Sequence, residues 1–240
     1  MAITPAFGLR ARTAGEPEPD LTSALVIQRA TRQDMRRLAA SLDGLAALVG
    51  PGGSGASPGR TTAIGRYTTA LLAEIRAYHE SQDRVLWPMI SATAGQSVDL
   101  IPLSDDHEAI EATIRDADGM LESLSAAGPG ALAGLRASVA ALRDMLDGHL
   151  CDEDEQIMPA MQLYLSADAY RWYERNISLS RLRFIVPWLA RYARPDELRR
   201  LLAAFGWPSQ FLLAAYRPGY ARLEREAFGP VNHPGGSYAP

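Results

Sequence analysis

The stretch LDGHLCDEDEQI, residues 146–157, places a histidine and a carboxylate on the apolar face of a predicted helix. Leu142, Leu146, His149, Glu153 and Ile157 follow one another at intervals of three and four residues, which is the spacing of one helical face. Burying a histidine or a glutamate costs free energy unless the side chain is paired or binds a ligand. This stretch therefore predicts a long helix that carries a polar pair into the core.

The stretch LSDDHEAIEATI, residues 103–114, has the same arrangement. His107 lies on the apolar stripe of Leu103, Ile110 and Ile114, and Glu111 follows the histidine by four residues. Residues four apart share a helical face, so His107 and Glu111 are predicted to lie side by side. Two such pairs on successive helices favour a shared site, because helix pairing brings them within ligand distance.

A third pair lies in the predicted second helix, where His79 precedes Asp83 by four residues. The inward row of this helix is ambiguous. Both the row through Tyr78 and Gln82 and the row through His79 and Asp83 have apolar neighbours at helical spacing.

The periodicity predicts four long amphipathic helices within residues 21–165. Stretches rich in glycine and proline at 50–60 and 126–130 separate two pairs of helices, and Pro88 and Pro159 are expected to stop or bend the second and fourth helices. No alternating pattern typical of strands competes with this reading. The predicted fold class is all-α, an antiparallel four-helix bundle.

The rest of the chain is predicted to be less regular. Residues 166–229 contain shorter helical segments with many aromatic side chains and are predicted to form a C-terminal helical extension packed on the bundle. Residues 1–20 and 230–240 are rich in proline and glycine and are predicted to be a flexible N-terminal segment and a tail. The segment from residue 166 onward is basic, with 11 arginines against 6 acidic residues, which suits packing against an acidic neighbour or a partner.

The composition excludes several kinds of chemistry. All 24 basic residues are arginines, so a Schiff-base lysine and a P-loop lysine are absent. A single cysteine, Cys151, excludes an internal disulfide and a multi-cysteine metal site. The net charge of −4 argues against general nucleic-acid binding. No long apolar run or secretory signal pattern is present in the sequence, so we expect a cytoplasmic protein without membrane contact.

Several phrases of the sequence resemble the hemerythrin-like family of HHE cation-binding domains. The phrases are VIQRATRQDMRRL (26–38), AYHESQDRVLWPMI (77–90), DDHEAIEATI (105–114) and GHLCDEDEQIMPAM (148–161). The resemblance spans residues 21–165, and phrases in the C-terminal segment resemble the helical extension of some actinobacterial members. It implies a bundle that binds two non-heme irons for oxygen or nitric-oxide binding, sensing, iron handling or oxidation.

The resemblance also shows where this chain departs from the family. The family's helix-one histidine corresponds to Gln28, and the ligating histidine and glutamate of its helix two correspond to Tyr78 and Gln82. His79 and Asp83 match less critical neighbours of those ligands. Glutamine is a poor substitute for an imidazole or a bridging carboxylate at iron, so the resemblance implies a depleted di-iron site.

One hypothesis is that the bundle keeps its cavity but holds a small organic molecule there, which it transforms by acid–base chemistry. In this hypothesis the cofactor is absent. The predicted catalytic residues are His107, His149, Tyr78, Glu111 and Glu153, and the predicted ligand-binding residues are Gln28, Gln82 and His79.

A second hypothesis is a mono- or di-iron protein that binds oxygen or nitric oxide, or performs an oxidation. Its predicted metal ligands are His107, Glu111, His149, Glu153 and Asp154. A third is a non-catalytic interaction module. An inward row of Tyr78 and Gln82 favours the first hypothesis, and an inward row of His79 and Asp83 favours the second. In each case we expect a monomer or homodimer that binds no nucleic acid.

Overall fold

The computed structural model describes residues 8–50, 52–53, 57–124, 129–176, 181–206 and 208–229, and all the regular elements in these ranges are helical. The α-helices are α1 (Thr22–Val49), α2 (Pro58–Ser81), α3 (Trp87–Ala94), α4 (Ile101–Leu124), α5 (Pro129–Asp152), α6 (Met158–Tyr164), α7 (Ala167–Asn176), α8 (Leu182–Tyr192), α9 (Pro195–Ala204) and α10 (Pro208–Phe228). The predicted tail, 230–240, lies outside the described residues, as does His233. Among the described helices, none is both long and apolar enough to cross a membrane.

Four long helical rods form the bundle. They are α1, α2 continued by α3, α4, and α5 continued by α6; α1 packs beside α2 and α5, and α4 packs beside the same two helices. The all-α prediction is confirmed. Helix α4 begins at Ile101, where the Asp99 carboxylate accepts a hydrogen bond from the Ile101 N–H at 3.1 Å.

Two of the rods contain a π-helical turn directly before a proline. The turns are Gln82–Leu86, before Pro88, and Glu153–Ile157, before Pro159. Within a regular helix a proline ring clashes with the carbonyl four residues earlier. Here the residue preceding each proline donates its N–H to the carbonyl five residues back, which widens the turn. The helices therefore continue through the prolines, where the sequence predicts a stop or a bend.

A polar layer divides the bundle core into two apolar clusters. On α4, Leu103 belongs to one cluster and Ile110 to the other, and His107 lies between them. On the α5–α6 rod, Leu146 and Ile157 are divided in the same way by His149 and Glu153. Because apolar side chains seal the layer from both ends, its polar groups have to satisfy one another or bind a ligand.

The C-terminal helices dock on α1 and α2 through a buried aspartate. Asp34 is fully buried and accepts hydrogen bonds from Tyr67 of α2 at 2.5 Å and from the Trp188 indole of α8 at 2.7 Å. Tyr192 of α8 also donates to it, and the Arg37 guanidinium contacts it at 2.8 Å. Burial raises the pKa of Asp34 above its ordinary value, although Arg37 and the three ring donors act in the opposite direction. One carboxylate thus joins the bundle to the extension.

We expect Asp34→Ala to lower the free energy of unfolding by about 3–5 kcal/mol, because it leaves the buried Trp188 and Tyr192 donors without their acceptor and removes one of the two carboxylates that pair with Arg37. The measurement is urea denaturation, with limited proteolysis to report whether the extension detaches. Asp43→Ala is the matched control, since Asp43 lies on the same helix but is exposed and pairs with Arg136 at the surface. That surface pair contributes about 0–1 kcal/mol. Equal losses in the two variants would contradict the assigned role of Asp34.

Candidate metal centre

Three histidines from three different helices converge in the polar layer. His79 of α2, His107 of α4 and His149 of α5 are all at least 95% buried, with exposures of 5%, 4% and 2%. One ring nitrogen of each lies within 4.8 Å of the others. The His79 and His107 rings stack with centroids 4.4 Å apart, and the His149 ring meets the edges of both. Three buried imidazoles at this separation form a candidate metal site.

Two carboxylates orient the rings of His107 and His149. The Asp83 carboxylate lies 2.8 Å from Nδ1 of His107, and the Asp106 carboxylate lies 3.3 Å from Nδ1 of His149. A carboxylate can only accept a hydrogen bond, so each Nδ1 carries the proton and each Nε2 turns toward the other ring. A carboxylate behind a ligating imidazole is the usual outer-shell arrangement at protein metal sites, where it sets the tautomer and raises the basicity of the ligand.

The facing nitrogens need a positive charge or a proton between them. Nε2 of His107 and Nε2 of His149 are 3.1 Å apart, and two lone pairs at that distance repel each other. Burial lowers the pKa of His149, but the Glu153 and Asp106 carboxylates outweigh burial and raise it above its ordinary value. A proton added to this pair is therefore favoured on His149, whose Nε2 faces both His107 and the Glu153 carboxylate.

His79 completes the cluster with a nitrogen that lacks a partner. Its Nε2 is buried and makes no hydrogen bond with the described residues. Burial and the neighbouring His107 and His149 lower the pKa of His79 well below its ordinary value, so this ring is neutral. A neutral, buried imidazole with a free Nε2 is a ready ligand for a metal ion.

Glu153 is the centre of a second group of polar contacts. Its fully buried carboxylate accepts hydrogen bonds from the Gln28 amide at 2.6 Å and from the Gln82 amide. The Tyr78 hydroxyl donates to it at 3.4 Å, and Nε2 of His149 lies 3.5 Å away. Burial would raise the pKa of Glu153, but His149 and the two amides outweigh burial and lower it. The carboxylate is therefore ionised and held by three helices.

Apolar and aromatic side chains close the site. The Trp87 ring stacks on His107 at 5.7 Å, and its buried indole N–H makes no hydrogen bond with the described residues. The carbonyl oxygens of Gln28 and Gln82 also lack partners there. These three polar atoms lie beside the histidine cluster without a hydrogen-bond partner, so they are available to bind a further group.

The structure brings most of the predicted site residues together and leaves two outside. Glu111 points away from His107 and pairs with Arg76 at 2.8 Å, and Asp154 is exposed and pairs with Arg32 at 2.7 Å. A salt bridge with an arginine on the outer face satisfies each carboxylate, so neither contacts the histidine cluster. Spacing of four residues places Glu111 on the edge of the apolar stripe, where it reaches solvent.

Both alternative rows of the second helix, Tyr78 with Gln82 and His79 with Asp83, contribute side chains to the site. His79 and Gln82 are both buried, Tyr78 is half-buried, and Asp83 lies at the rim, where it contacts His107. Helical positions three and four apart face the same side, so a wide polar stripe can present both rows to the core.

Sequence reasoning did not select Asp106 or Trp87. Asp106 precedes His107 in the chain but contacts His149 of the next helix, and no spacing rule within one helix predicts such a contact. The signal that could have suggested Trp87 is its place next to Pro88, at the end of the π-helical turn.

The donor set fits one metal ion better than two. Metal–imidazole distances of about 2.1 Å place two ligand nitrogens of one ion roughly 3.0–3.4 Å apart, and the 3.1 Å separation between His107 and His149 lies in that range. A two-iron centre also needs bridging carboxylates. Glu153 is the one buried carboxylate that contacts the cluster within the described part of the chain, and amide donors from Gln28 and Gln82 bind both of its oxygens.

Comparisons with known proteins agree with this architecture. A family model described as the hemerythrin HHE cation binding domain matches residues 27–161, more than half of the chain. No curated protein matches the sequence significantly, and no solved structure does so. The matched range crosses all four rods of the bundle and contains the three histidines and Glu153. The chain is therefore a member of the hemerythrin HHE cation-binding family.

Proposed function

We propose that this bundle binds a single transition-metal ion, iron by preference, through His79, His107 and His149, and presents it to a small molecule such as oxygen or nitric oxide. The observation that carries the proposal is that one ring nitrogen of each of three buried imidazoles lies within 4.8 Å of the other two. Imidazole nitrogen suits iron, zinc and copper, and the family's cation binding favours iron among them.

Each residue around the ion has a distinct part in this proposal. Asp83 and Asp106 are positioning residues, because they hold the His107 and His149 rings by Nδ1. Glu153 supplies the negative charge that offsets the cation, 3.5 Å from Nε2 of His149. An iron ion at this place would supply reversible binding or activation of oxygen or nitric oxide.

Tyr78 gives the site a proton donor. Its hydroxyl donates to Glu153, and burial together with the Glu153 charge raises the Tyr78 pKa well above its ordinary value. The phenol therefore stays protonated at neutral pH. A protonated phenol can donate a hydrogen bond to a bound diatomic molecule or hold Glu153 in place, but it does not act as a base.

Acid–base chemistry on an organic molecule in the same layer is the second candidate function. It is favoured by the 3.1 Å separation between the ring nitrogens of His149 and His107, with the Glu153 carboxylate 3.5 Å from His149. In this role His149 would act as general acid and His107 as general base. The amides of Gln28 and Gln82 already bind Glu153, so an organic ligand would have to displace them. For this reason we place the metal proposal first.

We expect the protein, loaded anaerobically with Fe²⁺ and desalted, to retain one ion per chain by elemental analysis. His107→Ala should abolish retention, since it removes one of three ligands. Asp83→Asn should weaken binding by about 10–100-fold through the loss of outer-shell support. Glu111→Ala is the matched control and should retain the ion, because Glu111 pairs with Arg76 outside the cluster. Two ions per chain would contradict the proposal, and metal-free protein that binds organic ligands tightly would favour the acid–base alternative.

Metal binding should strengthen as the pH rises. Because the pKa of His149 is raised in the metal-free protein, its protonation stabilises the fold below about pH 6.5, and this contribution is lost as the pH increases through the raised pKa. A metal ion needs the unprotonated imidazole nitrogen, so it competes with a proton for His149. We expect affinity to rise by up to about tenfold per pH unit below that pKa. Titration calorimetry with Co²⁺ in buffers of different ionisation enthalpy would measure the released proton; proton-independent binding would exclude His149 as a ligand.

Restoring the family's ligands should create a second metal position. The resemblance assigns two histidines and a glutamate to the places of Gln28, Tyr78 and Gln82, so Gln28→His/Tyr78→His/Gln82→Glu is the variant to make. The new glutamate would lie beside Glu153 and repel it without a cation, so the variant should be less stable when metal-free and should retain two irons per chain when loaded. Tyr78→Phe serves as the control with one ion. A triple variant that still retains one iron per chain would contradict the expectation that these three residues set the number of ions bound.

A further inference from the structure

A broad groove separates the bundle from the C-terminal helices, away from the histidine cluster. It has a volume of about 1500 Å³ and runs between α2 and α4 on one side and α8 and α10 on the other. The groove is wide where small residues line it. An added Cβ at Gly219 of α10 would meet nothing within 4 Å, and Gly65 and Ala73 face the groove from α2.

Arginines dominate the charge of this groove. Five arginines line it, against three acidic residues: Arg66, Arg76, Arg181, Arg183 and Arg222, with Asp118, Glu122 and Glu226. Arg76 is held by Glu111 and Asp118. By contrast, no hydrogen bond or ion pair joins Arg66 or Arg181 to another residue that the structure describes. Burial raises the pKa of Glu74 to about 7, and the positive charge of Arg181 acts against that rise. Arg183 lies over the Tyr216 ring at 5.8 Å. The groove thus has guanidinium groups available for an anion.

A smaller apolar cavity adjoins the groove inside the extension. It has a volume of about 150 Å³ and lies among α8, α9 and α10, with walls that include Ile185, Leu189 and Leu201. The Ser209 hydroxyl, its main polar neighbour, already donates to backbone carbonyls of Leu202 and Gly206. An apolar cavity of roughly this size can hold a benzene-sized group. The cavity therefore suits a hydrocarbon group of about six carbons.

Leu182 connects the two spaces. It lines both the groove and the cavity, and it is 36% exposed at the first turn of α8. Arg181 and Arg183 flank it in the chain and line the groove. An apolar pocket beside exposed guanidinium groups matches a molecule that has an apolar end and an anionic end.

We propose that the junction of bundle and extension is a binding site for a small organic acid with a compact apolar group. The apolar group enters the cavity beside Ile185 and Leu189, and the carboxylate passes Leu182 and binds Arg181 and Arg183. This site is separate from the histidine cluster and does not depend on the metal proposal.

The probe is octanoate, measured by titration calorimetry on the full chain, with 1-octanol as the neutral analogue and acetate as the analogue without a chain. Octanoate is expected to bind, and acetate is not. Arg181→Gln/Arg183→Gln should weaken octanoate binding at least about tenfold, the loss expected when a charge-assisted hydrogen bond is removed. It should leave octanol binding unchanged. Arg225→Gln is the matched control, because Arg225 is exposed on α10 and lines neither space.

Filling the cavity tests the apolar end separately. Ala190 lines the cavity, so Ala190→Leu should weaken octanoate and octanol binding alike, whereas Ala214→Leu, at an exposed position of α10 outside both spaces, should not. The arginine variant alters only exposed side chains and keeps the test valid if Ala190→Leu does not fold. No octanoate binding by the wild-type chain, or equal binding by the arginine variant, would overturn the proposal. His107→Ala should bind octanoate normally, which separates this site from the metal centre.

Discussion

The structure depends on the ionised carboxylate of Glu153 in the middle of an apolar bundle. A buried carboxylate is stable only where donors replace the water it has lost. Gln28 from α1, Gln82 after α2 and the half-buried Tyr78 supply those donors, and His149 adds a positive charge. These contacts tie three of the four rods to one point. The contacts of this one carboxylate therefore link the alignment of three rods to the position of His149.

Amide side chains stand in this layer where the family resemblance places ligating groups, and this replacement changes which ions the layer can bind. An amide nitrogen donates a hydrogen bond to a carboxylate, whereas an imidazole or a second carboxylate would share a cation with it. Gln28 and Gln82 thus keep Glu153 satisfied without a metal, which removes one reason for a second ion. The His149 imidazole lies 3.5 Å from Glu153, and the rings of His107 and His149 contact carboxylates of their own, Asp83 and Asp106. The layer thus combines a carboxylate that amide donors satisfy with three imidazoles that are suited to a cation.

The fold was largely predictable from the sequence, because apolar residues at helical spacing set which faces meet. The same pattern does not determine partners across helices. His107 was predicted beside Glu111, but its ring contacts Asp83, which comes from another rod, and Glu111 finds Arg76. The continuation through Pro88 and Pro159 was also not predicted, since the rule that proline stops a helix takes no account of a wider turn. The assignments of catalytic and metal-binding residues remain predictions until binding is measured.

The paired π-helical turns have a consequence for how the site is organised before any ligand arrives. In an ordinary α-helical register each proline ring would clash with the carbonyl four residues earlier, so neither turn can relax into that register without strain. Gln82 and Glu153, the first residues of the two turns, are consequently fixed in rotation about their helix axes. The entropic cost of ordering these side chains is met during folding. The site then selects ligands by a geometry that is fixed before binding, and its side chains move little when a ligand binds.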